Sequence, residues 1–219
     1  VNLIEAIQRH QPSCKFHFCS SSEVYGDACK DGQALKETDA IMPVNPYAIS
    51  KAAIDLYMQQ LMKLGKLNGF ITRAFSHTGV RRGKNFSISS DAYQIAQIIN
   101  EQRPPVIEVG NLETVRTVID VIDVVRAYYL LMENEASNGK IFNVCGDTPR
   151  KMEFFTDYLI KTSGKEIEKR LSEKYYRKVD IGYQFGDTTE LNNLTGWKPE
   201  ISIETTLEEL LRYWVFKIS

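Results

Sequence analysis

Apolar residues recur along this chain in two rhythms, and the alternation between those rhythms sets the first expectation about its fold. Positions 1–7 are apolar at helical spacing, whereas 14–19 alternate as a strand does and run into Ser20, Ser21 and Ser22, a hydroxyl-rich turn. A long helix is predicted over 46–64. Asn45 is a good N-cap, Pro46 suits the first helical position, and Gly65 with the Asn68-Gly69 pair ends it. Residues 70–75 then read as a strand, so strand, crossover helix and strand follow one another as they do in parallel sheets. A loop is predicted over 76–85 and a helix over 89–102 that must stop before Pro104-Pro105. Short strands are predicted at 106–109 and 115–119, an amphipathic helix with an acidic start at 120–133, and a strand at 140–144. Helices over 151–163, 188–194 and 203–216 complete an α/β pattern with a parallel sheet.

Composition narrows the functional classes. At 219 residues the chain can form one large domain or two small ones, and 43% hydrophobic with 25% charged residues is ordinary for a globular protein. A formal net charge of −1 supplies no global field for nucleic acid or an anionic membrane, and Arg81-Arg82-Gly83-Lys84 is too short for a nucleic-acid stripe. No apolar run approaches the ~20 residues of a membrane span, and no signal peptide is visible. Cys14, Cys19, Cys29 and Cys145 form no Cys-x-x-Cys pair, which reads as reduced thiols in a cytoplasmic protein. His10, His17 and His77 lack metal-ligand spacing, so no metal is expected.

The sharpest chemical signal is Tyr47-x-x-x-Lys51 at the start of the predicted long helix. One turn apart, the ammonium sits near the phenol, favours its ionised form and fits it for proton exchange near neutral pH. A second copy, Tyr213-x-x-x-Lys217, follows no serine-rich strand end and reads as coincidence. No Gly-x-Gly-x-x-Gly follows a strand anywhere, and the stretch from Gly79 to Asn85 is one residue short of a P-loop and lacks its Ser/Thr. With Val1 falling inside a helix-like segment, the expectation is a C-terminal part of a longer protein whose cofactor-phosphate half is missing.

Together with Tyr47 and Lys51, the run Ser20-Ser21-Ser22-Glu23-Val24-Tyr25-Gly26 resembles the extended short-chain dehydrogenase/reductase family of sugar-nucleotide epimerases and dehydratases. The stretches from Arg73 to Gly79, Arg81 to Phe86, Val109 to Glu113 with Arg116, Phe142 to Cys145 and Gly196 to Glu200 are similar to its GDP-mannose 4,6-dehydratase branch and the sister reductase. The resemblance implies a partial Rossmann-type parallel sheet and a smaller C-terminal substrate-binding domain. Residues 1–79 with 119–147 would form the cofactor side, and 80–118 with 148–219 the substrate side.

The resemblance also implies roles. Ser21, Glu23, Tyr47 and Lys51 would be catalytic, with Glu23 as the base at C5. Ser20, Tyr47, Lys51, Phe75 and His77 would meet the cofactor, NADP or alternatively NAD, and Ser76, Asn85, Arg116 and Arg177 the nucleotide sugar. The implied reaction is conversion of GDP-mannose to its 4-keto-6-deoxy product. The alternatives are a 4-keto-6-deoxyhexose reductase, a 4-epimerase, or a fragment without turnover. A homodimer or homotetramer through the helix carrying Tyr47 is implied as well.

Overall fold

The computed structural model describes residues 1–29, 32–175 and 181–219. Helix α1 (Asn2–His10), strand β1 (Phe16–Cys19), helix α2 (Pro46–Lys63) and strand β2 (Gly69–Ala74) come first. Strand β3 (Ser76–Thr78), helix α3 (Ser87–Ile99), β4 (Val106–Val109), β5 (Val115–Arg116) and β6 (Val118–Asp120) follow. Helix α4 (Val121–Glu133), β7 (Ile141–Val144), β8 (Arg150–Lys151) and α5 (Met152–Ser163) lead to β9 (Glu168–Leu171), β10 (Tyr183–Gln184), α6 (Thr189–Thr195) and α7 (Ile203–Ile218).

Strands β1, β2 and β7 pair in that order, both times in parallel. Alternation sends Phe16, Phe18 and Ile71 to one face, against Ile4, Met58 and Leu61 of α1 and α2. Phe70 and Phe142 pack on the other face with Val124, Ala127 and Leu131 of α4. Gly69 lets the first two strands close up, because a Cβ there would lie 2.0 Å from the Phe16 carbonyl oxygen. Leu191 and Trp197, on the substrate side of the expected division, also pack in this sheet's core.

The strand expected over 115–119 is two strands. The chain changes partners at buried Thr117, so β5 lies between β8 and β10 whereas β6 runs parallel to β3. The predicted loop over 76–85 accordingly opens with β3, whose Ser-His-Thr sequence carries no apolar alternation. Strand β9 was equally unmarked: Glu168-Lys169-Arg170-Leu171 is largely exposed and is held by parallel pairing with β4. Behind β4, helices α3, α5 and α7 enclose an aliphatic cluster of Ile95, Ala96, Ile107, Leu159, Leu207 and Leu210.

Candidate active site

The three serines that follow β1 have different bonds. Ser20 donates to Asp55 Oδ2 at 2.6 Å, which turns its hydroxyl inward. Ser22 donates to Gln184 Oε1 at 3.1 Å, and Gln184 Nε2 returns a bond to the Ser22 carbonyl at 3.0 Å. Ser21 caps the 3₁₀ turn Ser22–Tyr25, its Oγ accepting from the Glu23 N–H at 3.2 Å. Among the described residues, only the Ser21 hydroxyl proton of the three has no acceptor.

Beneath this turn lies a buried polar network. Arg73 on β2 grips Asp55 on α2 with two bonds of 3.0 Å, from Nε to Oδ2 and from Nη2 to Oδ1. Its Nη1 donates at 3.0 Å to the Tyr25 hydroxyl and to the Glu37 carbonyl. Tyr25 in turn donates to Asn143 Oδ1 on β7 at 2.7 Å, and burial, which pushes its phenol above the ordinary value, keeps it a donor. A fully bonded ion pair of this kind fixes the mutual orientation of the two strand ends and α2.

Tyr47 stands in the first turn of α2 and is 54% exposed. Lys51 Nζ lies 5.9 Å from its ring centroid and donates to the Cys19 carbonyl at 2.8 Å, so the ammonium is fastened to the end of β1. Glu23 Oε2 accepts from Asn45 Nδ2 at 3.0 Å. The chain before Asn45 is drawn close by Met42, whose N–H donates to the Val24 carbonyl at 2.9 Å. Gly26 makes room for that approach: its φ is +55°, and a Cβ would sit 1.8 Å from the Met42 carbonyl oxygen.

On the far side stands His77 of β3. Its Nδ1 meets the Phe75 carbonyl at 2.9 Å, and since a carbonyl only accepts, Nδ1 carries the proton and Nε2 is the acceptor. Burial pushes the imidazole pKa down, with the Arg82 charge adding to the effect, so the ring is neutral at physiological pH. Arg82 is half-buried, with its guanidinium 3.5 Å from the Phe86 ring centroid. Burial also lowers its pKa, and the Tyr47 charge opposes this. No carboxylate pairs with Arg82 among the described residues. Its carbonyl accepts from Ser89 Oγ at 2.7 Å, and Ser89 Oγ accepts from Trp214 Nε1 at 3.0 Å, which pins the loop to α3 and α7.

The structure thus gathers Ser21, Glu23, Tyr47 and Lys51 around the end of β1 and the start of α2. Phe75 is buried, Ser76 is half-buried on β3, and Asn85 is exposed on the loop beyond. Arg116 on β5 donates to the Val115 and Ile181 carbonyls. Arg177 lies outside the described residues. Sequence reading missed Arg82, which it counted only as one member of a basic cluster, although a guanidinium flanking a glycine just beyond a strand was a readable signal. It also missed Asp55 and Gln184, for which no local signal exists. Among the described residues no group of three or more His, Cys, Asp or Glu side chains could hold a metal ion, and no helix is long and apolar enough to cross a membrane.

A family described as GDP-mannose 4,6 dehydratase matches residues 1–210. The GDP-6-deoxy-D-mannose reductase of Pseudomonas aeruginosa is 29% identical over 218 residues, covering 100% of this chain and 71% of the reductase. The GDP-mannose 4,6 dehydratase of Homo sapiens is 25% identical over 221 residues, 91% of this chain and 57% of that protein. The solved structure of RMD from Pseudomonas aeruginosa complexed with NADPH superposes with a TM-score of 0.91 at 30% identity, covering 99% of this chain and 71% of that one. The chain therefore spans about half to seven tenths of the length of these relatives.

Proposed function

Because the chain belongs to the GDP-mannose 4,6-dehydratase family, we propose that it carries the proton-transfer and substrate-facing part of an NADP-dependent nucleotide-sugar 4,6-dehydratase acting on GDP-mannose, with NAD as the alternative cofactor. The observation that carries this reading is the Glu23 carboxylate, bonded at 3.0 Å to Asn45 at the start of the helix bearing Tyr47 and Lys51.

The residues present fit the nicotinamide end of a dinucleotide. Arg82 offers a half-buried cation without a carboxylate partner among the described residues, and Lys51 has one bond from its ammonium, to the Cys19 carbonyl. His77 presents Nε2 as an acceptor, with Ser20 and Phe75 contributing backbone nearby. When bound, the nicotinamide supplies a transient store for the hydride taken from C4 and returned at C6, so no cofactor is consumed. Ser21 donates its hydroxyl proton to the sugar O4 region, and Tyr47, with the Lys51 ammonium 5.9 Å from its ring centroid, takes the O4 proton. With a ketone at C4 the C5–H bond is acidic. Glu23 takes that proton and passes it to the C6 hydroxyl, which leaves as water with the C6–O electron pair while the C5 pair forms the C5–C6 double bond; once C6 has regained hydride, C5 takes a solvent-derived proton from Glu23. Ser76, Asn85, Arg116 and Arg177 are assigned to the nucleotide sugar, the guanidinium groups suiting diphosphate oxygens. Ile49 and Leu56, exposed on α2, support a homodimer or homotetramer through that helix.

A second reading, reduction of the 4-ketone, is favoured by the 29% identity to the Pseudomonas aeruginosa reductase; it uses Tyr47 and Lys51 without a C5 base. Incubation with GDP-mannose and NADP⁺ in deuterated water separates the two. A dehydratase places solvent deuterium at C5 of a 4-keto product, and Tyr47→Phe lowers the rate ~100-fold, the scale of losing a positioned proton-transfer group. Oxidation of NADPH by GDP-4-keto-6-deoxymannose with no deuterium at C5 would assign the reductase instead.

A further inference from the structure

We propose that Asn45 is a positioning residue that holds the Glu23 carboxylate in register with the Tyr47 phenol, which rests on the reading of Glu23 as the C5 base. Asn45 is the N-cap of α2, and its Oδ1 accepts from the Ala48 N–H at 2.8 Å. A backbone N–H only donates, so the oxygen of the planar amide must face Ala48. That leaves Nδ2 turned toward Glu23, where it donates to Oε2 at 3.0 Å in a charge-assisted bond. The other carboxylate oxygen has no partner among the described residues and is available to take a proton. One amide thus fastens one oxygen of the base to the helix turn that carries the phenol.

The residue type is informative. Asn, Asp and Ser cap helices about equally well, so the cap alone does not require Asn. Asparagine is the one among them whose side chain accepts with one atom and donates with another, which the cap and the tie together demand. The chain on either side is fixed independently. Met42 is bonded to Val24 and pressed against Gly26, and Ala48 is fully buried. The tie is therefore made between two immobilised segments.

Asn45→Ser and Asn45→Asp test this, because both keep the cap: Asp has no proton to donate, and the Ser hydroxyl, one bond shorter than the amide, draws its donor back from Oε2. Two rates are read on GDP-4-keto-6-deoxymannose: exchange of C5–H for deuterium, followed by NMR, and reduction at C4 by NADPH. In exchange, Glu23 takes the C5 proton, the electron pair rests in the enolate, and a deuteron from the equilibrated carboxyl returns to C5. Both variants should slow exchange about tenfold, the scale of one charge-assisted hydrogen bond. Reduction at C4 should change less than about threefold. The melting temperature should stay at the wild-type value, and the Asn45 side-chain amide resonances should shift in Glu23→Gln. Wild-type exchange in both variants, or amide resonances indifferent to Glu23→Gln, overturns the positioning role. A joint fall of both rates with the melting temperature shows that Asn45 acts through the helix start alone, which also overturns it. Wild-type protein that reduces the ketone without exchanging C5 removes the base reading of Glu23, and with it the purpose assigned to Asn45.

Discussion

The interior beneath the serine turn and the interior behind β4 are built on opposite principles. Under the turn, Asp55, Arg73, Tyr25 and Asn143 are buried side chains joined by directional bonds across α2, β2 and β7. Between α3, α5 and α7 the filling is almost wholly aliphatic, and the Asp91 carboxylate accepts from Thr156 at 2.7 Å as an isolated pair. Hydrogen bonds fix heading as well as distance, whereas aliphatic contacts fix distance and tolerate rotation. Ser21, Glu23 and Tyr47, the residues proposed for proton transfer, are mounted on the first interior. The Arg82 loop is tied to the second interior, where Ser89 holds its backbone and Trp214 holds Ser89.

The contrast breaks most sharply at Asp55. Asp55→Ala leaves the Arg73 charge buried without its partner, and urea denaturation should show a loss of ~3–5 kcal/mol. Replacing both partners, Asp55→Leu with Arg73→Met, should recover much of that loss while leaving the Ser20 hydroxyl unanchored. Stability that falls as far in the double variant as in the single one would mean that the network, and not the stranded charge, carries the effect.

In the aliphatic interior, Leu159→Ala should cost about 3 kcal/mol through the cavity it opens. The Tyr47 and Glu23 resonances should stay where they are. Their displacement would show that the two interiors are mechanically one.

Asp91 gives an effect confined to one range of pH, and a sign. Burial raises its pKa to about 7 from an ordinary 3.8, so the folded state holds the proton more tightly than the unfolded chain does. The stability due to the neutral form is complete below pH 4 and is lost as pH rises through 7, at no more than about 1.4 kcal/mol per pH unit. His17, stacked on Phe70 and pushed down to about 4 by burial, acts in the other direction: its contribution is complete above 6.5 and is lost as pH falls through 4. Asp91→Asn should therefore flatten the decline between about pH 4 and 7 in denaturation measurements and leave the His17 contribution intact. An unchanged alkaline limb would place that decline elsewhere.

What was legible in the sequence follows from how local each signal is. Helix α2 announced itself because Asn45, Pro46 and Gly65 act within a few residues of its ends, and β1 and β2 showed their apolar alternation. The split at Thr117 was invisible, since a change of partner strand leaves no mark on Val115-Arg116-Thr117-Val118-Ile119, a stretch rich in β-branched residues. Tyr47, Lys51 and Glu23 were readable as chemistry. Ser20, Ser21 and Ser22 were not distinguishable until Asp55 and Gln184, 35 and 162 residues away in the chain, claimed two of them. Asp55 itself looks like any acid on a solvated helix face, and only Arg73 on the neighbouring strand makes it structural.

The approach of Glu23 to the start of α2 depends on an atom that is not there. Gly26 contributes no functional group, yet the volume its missing methyl leaves is filled by the Met42 carbonyl, and through Met42 the segment bearing Asn45 is seated. A methyl at 26 acts as a spacer, pushing the Met42 carbonyl, and with it the segment that leads to Asn45, away from the Glu23 turn. In any survey of tolerated substitutions this glycine will score as though it were catalytic, and the reasons are clearance and its left-handed backbone.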